Sequence, residues 1–237
     1  MDNFNWEVYI QKYPDLVLAG INTKQKAWNH YQKYGKTEGR SFTTNGINNV
    51  DIFYYINLNH RTDRNESILS EFDKIGIDPG KINRIEAIYN PGFGMRGATQ
   101  SHCLTIEKFI NSGLENCIIF EDDFIFNYDK ETINKKFDFL FNSGLDYDLV
   151  MLSASTATET KFNTYLSKVY DSNTASGYLL SKKFAPILLN NFKETDYNDV
   201  NWIKLQPISN WYSFLPKLGI QMEGYSDITK KHENYRA

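Results

Sequence analysis

From Asp51 onward the apolar and polar positions follow two periods in turn. The unbroken apolar run IFYYINL predicts a buried strand. DRNESILSEFDKIG follows, with Ile68, Leu69, Phe72 and Ile75 at helical spacing. INRIEAI reads as a second strand, and ATQSHCLTIEKFINSG as a second helix that Gly113 stops. NCIIFEDD is a third strand, DKETINKKFDFLFNSG a third helix and YDLVMLSA a fourth strand. Strands alternating with helices of this length predict βαβ units and an α/β fold with a mostly parallel, Rossmann-like sheet. Beyond Ser155 the pattern loosens. Only SGYLLS, a helix in KKFAPILLNNF, a helix-like DVNWIKLQ and a final apolar WYSFLPKLGIQM stand out.

Residues 1–42 read differently. FNWEVYIQKYPDL is helix-like as far as Pro14. Thr23 caps a second helix, KQKAWNHYQKYG, and Gly35 stops it. Trp6, Tyr9, Ile10, Tyr13, Ala27, Trp28 and Tyr31 supply one aromatic cluster between the two. A helical pair this small is weakly stable alone, so it packs on a larger body or a partner, and copies of the chain could associate through it. The polar, turn-rich TTNGINNV, residues 43–50, reads as a linker. The expected organisation is a helical accessory module (1–42), a linker (43–50) and one catalytic domain (51–237).

Composition narrows the function classes. With 26 Lys and Arg against 29 Asp and Glu, and no basic stripe, nucleic acid is not an expected partner. Two cysteines, Cys103 and Cys117, make no disulfide framework and read as thiols of a reducing compartment. The first residues carry no basic head or apolar core, and no run approaches 18 apolar residues. The expectation is a cytoplasmic protein without a transmembrane segment. Aromatic residues make up 15% of the chain, which supplies both core volume and flat surfaces for rings.

In an open α/β sheet, ligands bind at the carboxyl ends of the strands. Three such ends carry chemistry here: Asn57 to Arg61, Glu121-Asp122-Asp123, and Ser153 to Ser155. The acidic end is the most telling. Three anions within about 5 Å repel by roughly 3 kcal/mol per pair at an effective dielectric near 20, so a strand that ends in them in a crevice calls for a cation. A hard divalent ion fits, because it takes one or two carboxylates together with substrate phosphates and water. A second motif, GFGMRG at residues 92–97, has the outline of a dinucleotide loop. Tyr89-Asn90-Pro91 separates it from the strand, it follows the second strand, and a ribose needs one carboxylate, not three. We therefore discount a nicotinamide or flavin site.

Five segments in order resemble glycosyltransferase family 25, the family of lipopolysaccharide-type glycosyltransferases and procollagen galactosyltransferases. They are Ile56-Asn57-Leu58 with Arg61 and Asp63-Arg64; Gly97 to His102; Ile118 to Asp123; Ser176 to Ser181; and Gln221 with Ser226-Asp227-Ile228. The resemblance covers about residues 51–230. Ala98 stands where the family has Cys, and the spacing between the first two segments is short. The resemblance implies a GT-A-type nucleotide-diphospho-sugar transferase fold. It also implies an inverting transfer of a hexose, galactose or glucose, from a UDP-sugar to a glycan or protein hydroxyl, with Mn²⁺ or Mg²⁺.

Roles follow residue by residue. Asn57, Leu58, Arg61 and Arg64 would cradle the donor, with Arg61 or Arg64 on the diphosphate; alternatively Asp63 and Arg64 simply begin a helix. Ser101 and His102 would meet the donor sugar or phosphate; alternatively His102 is a satisfied core histidine. Asp123, then Asp122, would hold the metal, and Glu121 the ribose or a metal-bound water. His232 or Asp227 could complete the ligand set. Asp199 is either the general base or a helix cap. Trp202, Trp211, Tyr212 and Asp227 are candidates for the acceptor side, with the aromatic core as the other home for the rings. The alternative function is a non-catalytic glycan-binding or scaffolding protein on a degenerate transferase fold.

Overall fold

The computed structural model describes residues 4–40, 42, 45–192 and 197–233. Thr43 and Thr44 of the expected linker lie outside the described residues. Along the chain the helices are α1 (Trp6–Lys12), α2 (Pro14–Leu18), α3 (Lys24–His30), α4 (Thr62–Ile75), α5 (Gly94–Ser112), α6 (Lys130–Asn142), α7 (Ala185–Asn191) and α8 (Asn198–Asn201). The strands are β1 (Ile52–Asn57), β2 (Ile82–Glu86), β3 (Asn116–Glu121), β4 (Phe124–Phe126), β5 (Leu149–Met151), β6 (Ser155–Lys161), β7 (Leu166–Asn173), β8 (Gly177–Ser181), β9 (Trp211–Phe214), β10 (Gly219–Gln221), β11 (Gly224–Ser226) and β12 (Lys231–Glu233).

The chain divides into two compact units. One comprises Met1–Asn49 with Glu131–Leu145, the other Val50–Lys130 with Asp146–Ala237. In the first, Asn5 caps α1 by accepting from Val8 N–H, and Thr23 caps α3 by accepting from Lys26 N–H. Pro14 opens α2 at its first position, where the missing N–H costs nothing. The aromatic cluster forms around Phe4, Tyr9, Leu16 and Ala27, with Trp28, Tyr31 and Phe42 packed on it. The helix does not stop cleanly at Gly35: Tyr31–Gly35 forms one wider π-helical turn. The expected linker is not wholly irregular either. Gly46–Asn49 makes a short 3₁₀ turn held by α6, with Gly46 N–H donating to Asp138 at 3.0 Å and Ile47 N–H to Asn134 at 2.9 Å.

The second unit is built on an eight-stranded sheet of order β2-β1-β3-β8-β5-β9-β7-β6. The α/β class and the Rossmann-like segment are as expected. β1 pairs in parallel with both β2 and β3, so all three carboxyl ends open on one edge. The parallel part is narrower than the sequence suggested. β8 runs antiparallel to β3 and β5, and β7 runs antiparallel to β6 and β9, which leaves β5–β9 as the other parallel pair. The departure begins where helices cease to separate strands, after Ser155. Gly76, with φ 74°, closes α4 in the left-handed region and donates to Phe72 and Asp73 carbonyls. Among the described residues no helix is long and apolar enough to cross a membrane. Cys117 is a buried thiol and Cys103 is half-buried.

Candidate active site

Parallel pairing of β1 with β3 fixes the site. Their register sets Ile56 opposite Glu121, so Asn57 and the chain beyond it meet Asp122 and Asp123 directly. A cleft opens there. It is lined by Leu58 and Arg64 after β1, by Ala87 to Asn90 after β2, by Ser101 and His102 of α5, by the three acids, and by Gln221 and Ser226 to Ile228. Four of the five resemblance segments line one cavity; the fifth, around Ser176 to Ser181, lies just behind it through Tyr178.

Arg64 lies at the centre. It sits in the first turn of α4, and its Nη1 donates to Asp122 Oδ1 at 3.0 Å and to Asp123 Oδ2 at 3.1 Å. Nη2 donates to the Tyr225 carbonyl at 2.9 Å. Asp122 also accepts from Asn57 Nδ2 at 2.7 Å, and Asn57 Oδ1 in turn accepts from Arg84 at 2.8 Å. Asp123 accepts from Gln221 Nε2 at 3.1 Å, while its other oxygen, Oδ1, is buried without a hydrogen-bond partner. Burial, then repulsion from Glu121, pushes the Asp123 carboxyl well above the usual carboxylate range. Burial also raises Asp122, against the pull of Arg64 and Asn57. One guanidinium therefore does not fully compensate this acidic end.

Arg61 pairs elsewhere. Its Nη1 donates to Asp227 at 2.5 Å and its Nη2 to Asp63 at 2.8 Å. Asp227, assigned to the acceptor side by sequence, thus lies in the same cleft as the donor-side residues, tied to the first strand end. Ser101 is buried; its hydroxyl donates to Gly97 O and accepts from Ile88 N–H at 2.8 Å, which pins the β2 exit to α5. His102 is buried between two partners, Tyr178 Oη at 2.9 Å from Nδ1 and Glu121 Oε1 at 3.2 Å from Nε2. A carboxylate only accepts, so Nε2 carries a hydrogen; in the neutral ring Nδ1 then accepts from the tyrosine hydroxyl. The histidine is satisfied, yet it presents the one cleft carboxylate of the acidic triplet that Arg64 does not hold.

Two of the three glycines of GFGMRG, Gly94 and Gly97, serve close packing. A Cβ on Gly94 would lie 2.7 Å from Ile228 Cα, and one on Gly97 would strike the Ile88 carbonyl. Both let α5 approach the cleft walls, so the dinucleotide outline has a different cause.

Several expectations are corrected. Trp202 and Trp211 are fully buried, packed edge-on at 5.2 Å in the core under Tyr178 and Phe184, and offer no face to an acceptor. Asp199 does not line the cleft. It sits in the first turn of α8, where Tyr197 is the cap, and its carboxylate accepts from Thr174 N–H at 2.9 Å, holding that residue at φ 79°. The Ser153–Ser155 strand end also lies outside the cleft; Ser153 is buried with its hydroxyl on Ser176 at 2.6 Å. Tyr212 is buried at the core edge beside Phe162. His232 packs by Tyr225 on the β11–β12 hairpin, and it does not line the cleft. Sequence reasoning gave no role to Arg84 or Tyr178. The register of β1 against β2, which sets Arg84 across from Tyr55 beside Asn57, is the signal that would have found the first.

Among the described residues no three His, Cys, Asp or Glu side chains are arranged to hold a metal ion by themselves. Two carboxylates with an orphaned, buried oxygen do fit an ion that also takes phosphate oxygens, since such ions commonly use one or two carboxylates.

No curated protein matches the chain. Among solved structures, A197 from STIV shares 10% identity over 78% of this chain and 95% of that one, with a TM-score of 0.46. A glycosyltransferase involved in the glycosylation of the major capsid of PBCV-1 shares 10% over 76% of this chain and 95% of that one, at 0.44. Residues 92–202 match the sequence model of glycosyltransferase family 25, described as an LPS biosynthesis protein. That segment holds the Ser101-His102, Glu121-Asp122-Asp123 and Gly177-Tyr178 motifs, and over it the chain is similar to glycosyltransferase family 25, the family its motifs resemble.

Proposed function

We propose that this glycosyltransferase is a GT-A-type enzyme that moves a hexose from a UDP-sugar, with inversion, to a hydroxyl of a glycan or protein acceptor, and that it uses Mn²⁺ or Mg²⁺. The observation that carries the reading is the under-compensated acidic end of β3: two buried carboxylates share one guanidinium, and one carboxylate oxygen has no partner. Asp122 and Asp123 would hold the ion, which when bound would offset charge on a departing diphosphate. Arg64 and Arg61 border the space for the phosphates, and a guanidinium matches phosphate oxygens bidentately. Asn57, Leu58 and the chain after β2 flank the nucleoside side. Tyr89, exposed beside His60 at 5.2 Å, offers a flat face there. Inversion requires a general base to take the acceptor proton. Glu121 is better placed than Asp199, because it lies in the cleft and His102 fixes its orientation.

The test is a panel of nucleotide-sugars assayed for slow hydrolysis and for transfer to simple glycosides, with Mn²⁺ and with chelator. The reading predicts turnover of at least one UDP-hexose that chelator abolishes. Turnover that chelator leaves intact would remove the ion from the account. No turnover of any nucleotide-sugar, with or without Mn²⁺, would favour a binding protein on a transferase fold.

A further inference from the structure

A single nitrogen, Arg64 Nη1, sits between Asp122 Oδ1 and Asp123 Oδ2, 3.0 Å from one and 3.1 Å from the other. A divalent ion held by Asp122 and Asp123 would draw on the same two carboxylates that now pair with this guanidinium. Two cations drawn to one pair of carboxylates repel each other, so ion and guanidinium compete for it. Taking the metal-dependent function as its basis, we propose that Arg64 is a resident counter-ion that closes the metal site in the empty enzyme, and that it is released to the donor diphosphate when ion and nucleotide enter together.

The surroundings support a movable guanidinium. Its Nε is buried without a partner, so the side chain is not fully satisfied where it stands. Its third anchor is a main-chain carbonyl, Tyr225, near the exposed rim formed by Tyr225 and Ile228. The side chain lines the cleft itself, so a turn about its own bonds carries the charge from the carboxylates toward the phosphate space. The neighbouring arginine after β1 differs. Arg61 is held by Asp227 and Asp63, neither of which is a carboxylate of the acidic strand end. This arrangement sets an order of binding. Metal alone must evict a paired arginine that gains nothing in return. Metal with a diphosphate gives the arginine a new anionic partner. The enzyme should therefore bind ion and nucleotide cooperatively and resist free metal.

Mn²⁺ affinity can be read by the loss of the free-ion magnetic resonance signal, with and without UDP, in the full chain and in Arg64→Gln, Arg64→Lys and Arg61→Gln. Without UDP, Arg64→Gln should bind Mn²⁺ at least about tenfold more tightly than the parent, equivalent to about 1.4 kcal/mol. Arg64→Lys keeps the positive charge and serves where the glutamine variant fails to fold; its affinity should fall between the two. Arg61→Gln should change it by less than about threefold, since only general field effects remain. With Mn²⁺ present, Arg64→Gln should bind UDP at least about tenfold more weakly. Equal Mn²⁺ affinity in the parent and both Arg64 variants would overturn the counter-ion role. So would an Arg61→Gln gain as large as that of Arg64→Gln. Unchanged UDP affinity in Arg64→Gln would overturn the release to the diphosphate. If the parent and every variant fail to bind Mn²⁺ even with UDP, the metal reading itself fails, a result distinct from these.

Discussion

Asp123→Asn is expected to lower transfer and donor hydrolysis by about 10²–10³-fold, the scale of losing a charge-stabilising group in a closed site, while the thermal midpoint stays level or rises. The two halves come from one cause. Asp123 is buried, repelled by Glu121 and left with one unpartnered oxygen, so its charge is a cost to the folded protein. An amide of the same shape removes that cost and keeps an acceptor for Gln221 and Arg64. The same substitution removes the anionic oxygens that an ion would need. Melting curves and initial rates on the same preparations check the prediction. A variant that loses activity only in proportion to lost folded protein would make Asp123 structural, and one within about threefold of parent activity would take it out of the chemistry.

Trp202→Ala should cost about 3–5 kcal/mol of stability, the usual loss for truncating a large buried ring. Trp202 lies edge-on to both Tyr178, at 5.3 Å, and Trp211, at 5.2 Å, and all three are fully buried. The cavity would open beside Tyr178, on which His102 stacks, so residual activity should fall as well. Trp202→Phe keeps most of the volume and should retain more of both. Chemical denaturation gives the stability, and acceptor kinetics give the contrast: KM for the acceptor should be unchanged in Trp202→Phe. A stable Trp202→Ala with a raised acceptor KM would restore the ring to the acceptor side.

The elements that position the site were legible because they obey local rules. β1 and β3 are unbroken apolar runs buried on both faces, and α4 and α5 end at Gly76 and Gly113, both in the left-handed region. The acidic end of β3 was legible for a different reason: adjacent carboxylates after a buried strand need compensation wherever they lie. The hairpin β6–β7 was not seen. β6, STATETK, is an exposed edge strand with no buried face to impose alternation, and its register is interrupted near Thr158. The tryptophans misled because an aromatic residue near a polar loop reads the same whether it faces a ligand or a core. Only the tertiary packing of β9 against β5 decides that Trp211 points inward. Arg64 shows the same limit. Its charge and place after β1 are plain in the sequence, but its choice of Asp122 and Asp123 depends on the start of α4 and the turn after β3, 58 and 59 positions apart in the chain at these contacts, meeting at one strand edge.

The central claim is that the acidic end of β3 takes a divalent ion together with a nucleotide diphosphate. Calorimetric titration of the full chain with UDP, in Mn²⁺ and then in chelator, tests it most directly. The account predicts saturable binding in Mn²⁺ that disappears in chelator and in Asp123→Asn. Binding of UDP with equal affinity in chelator, or no heat under either condition, would contradict it.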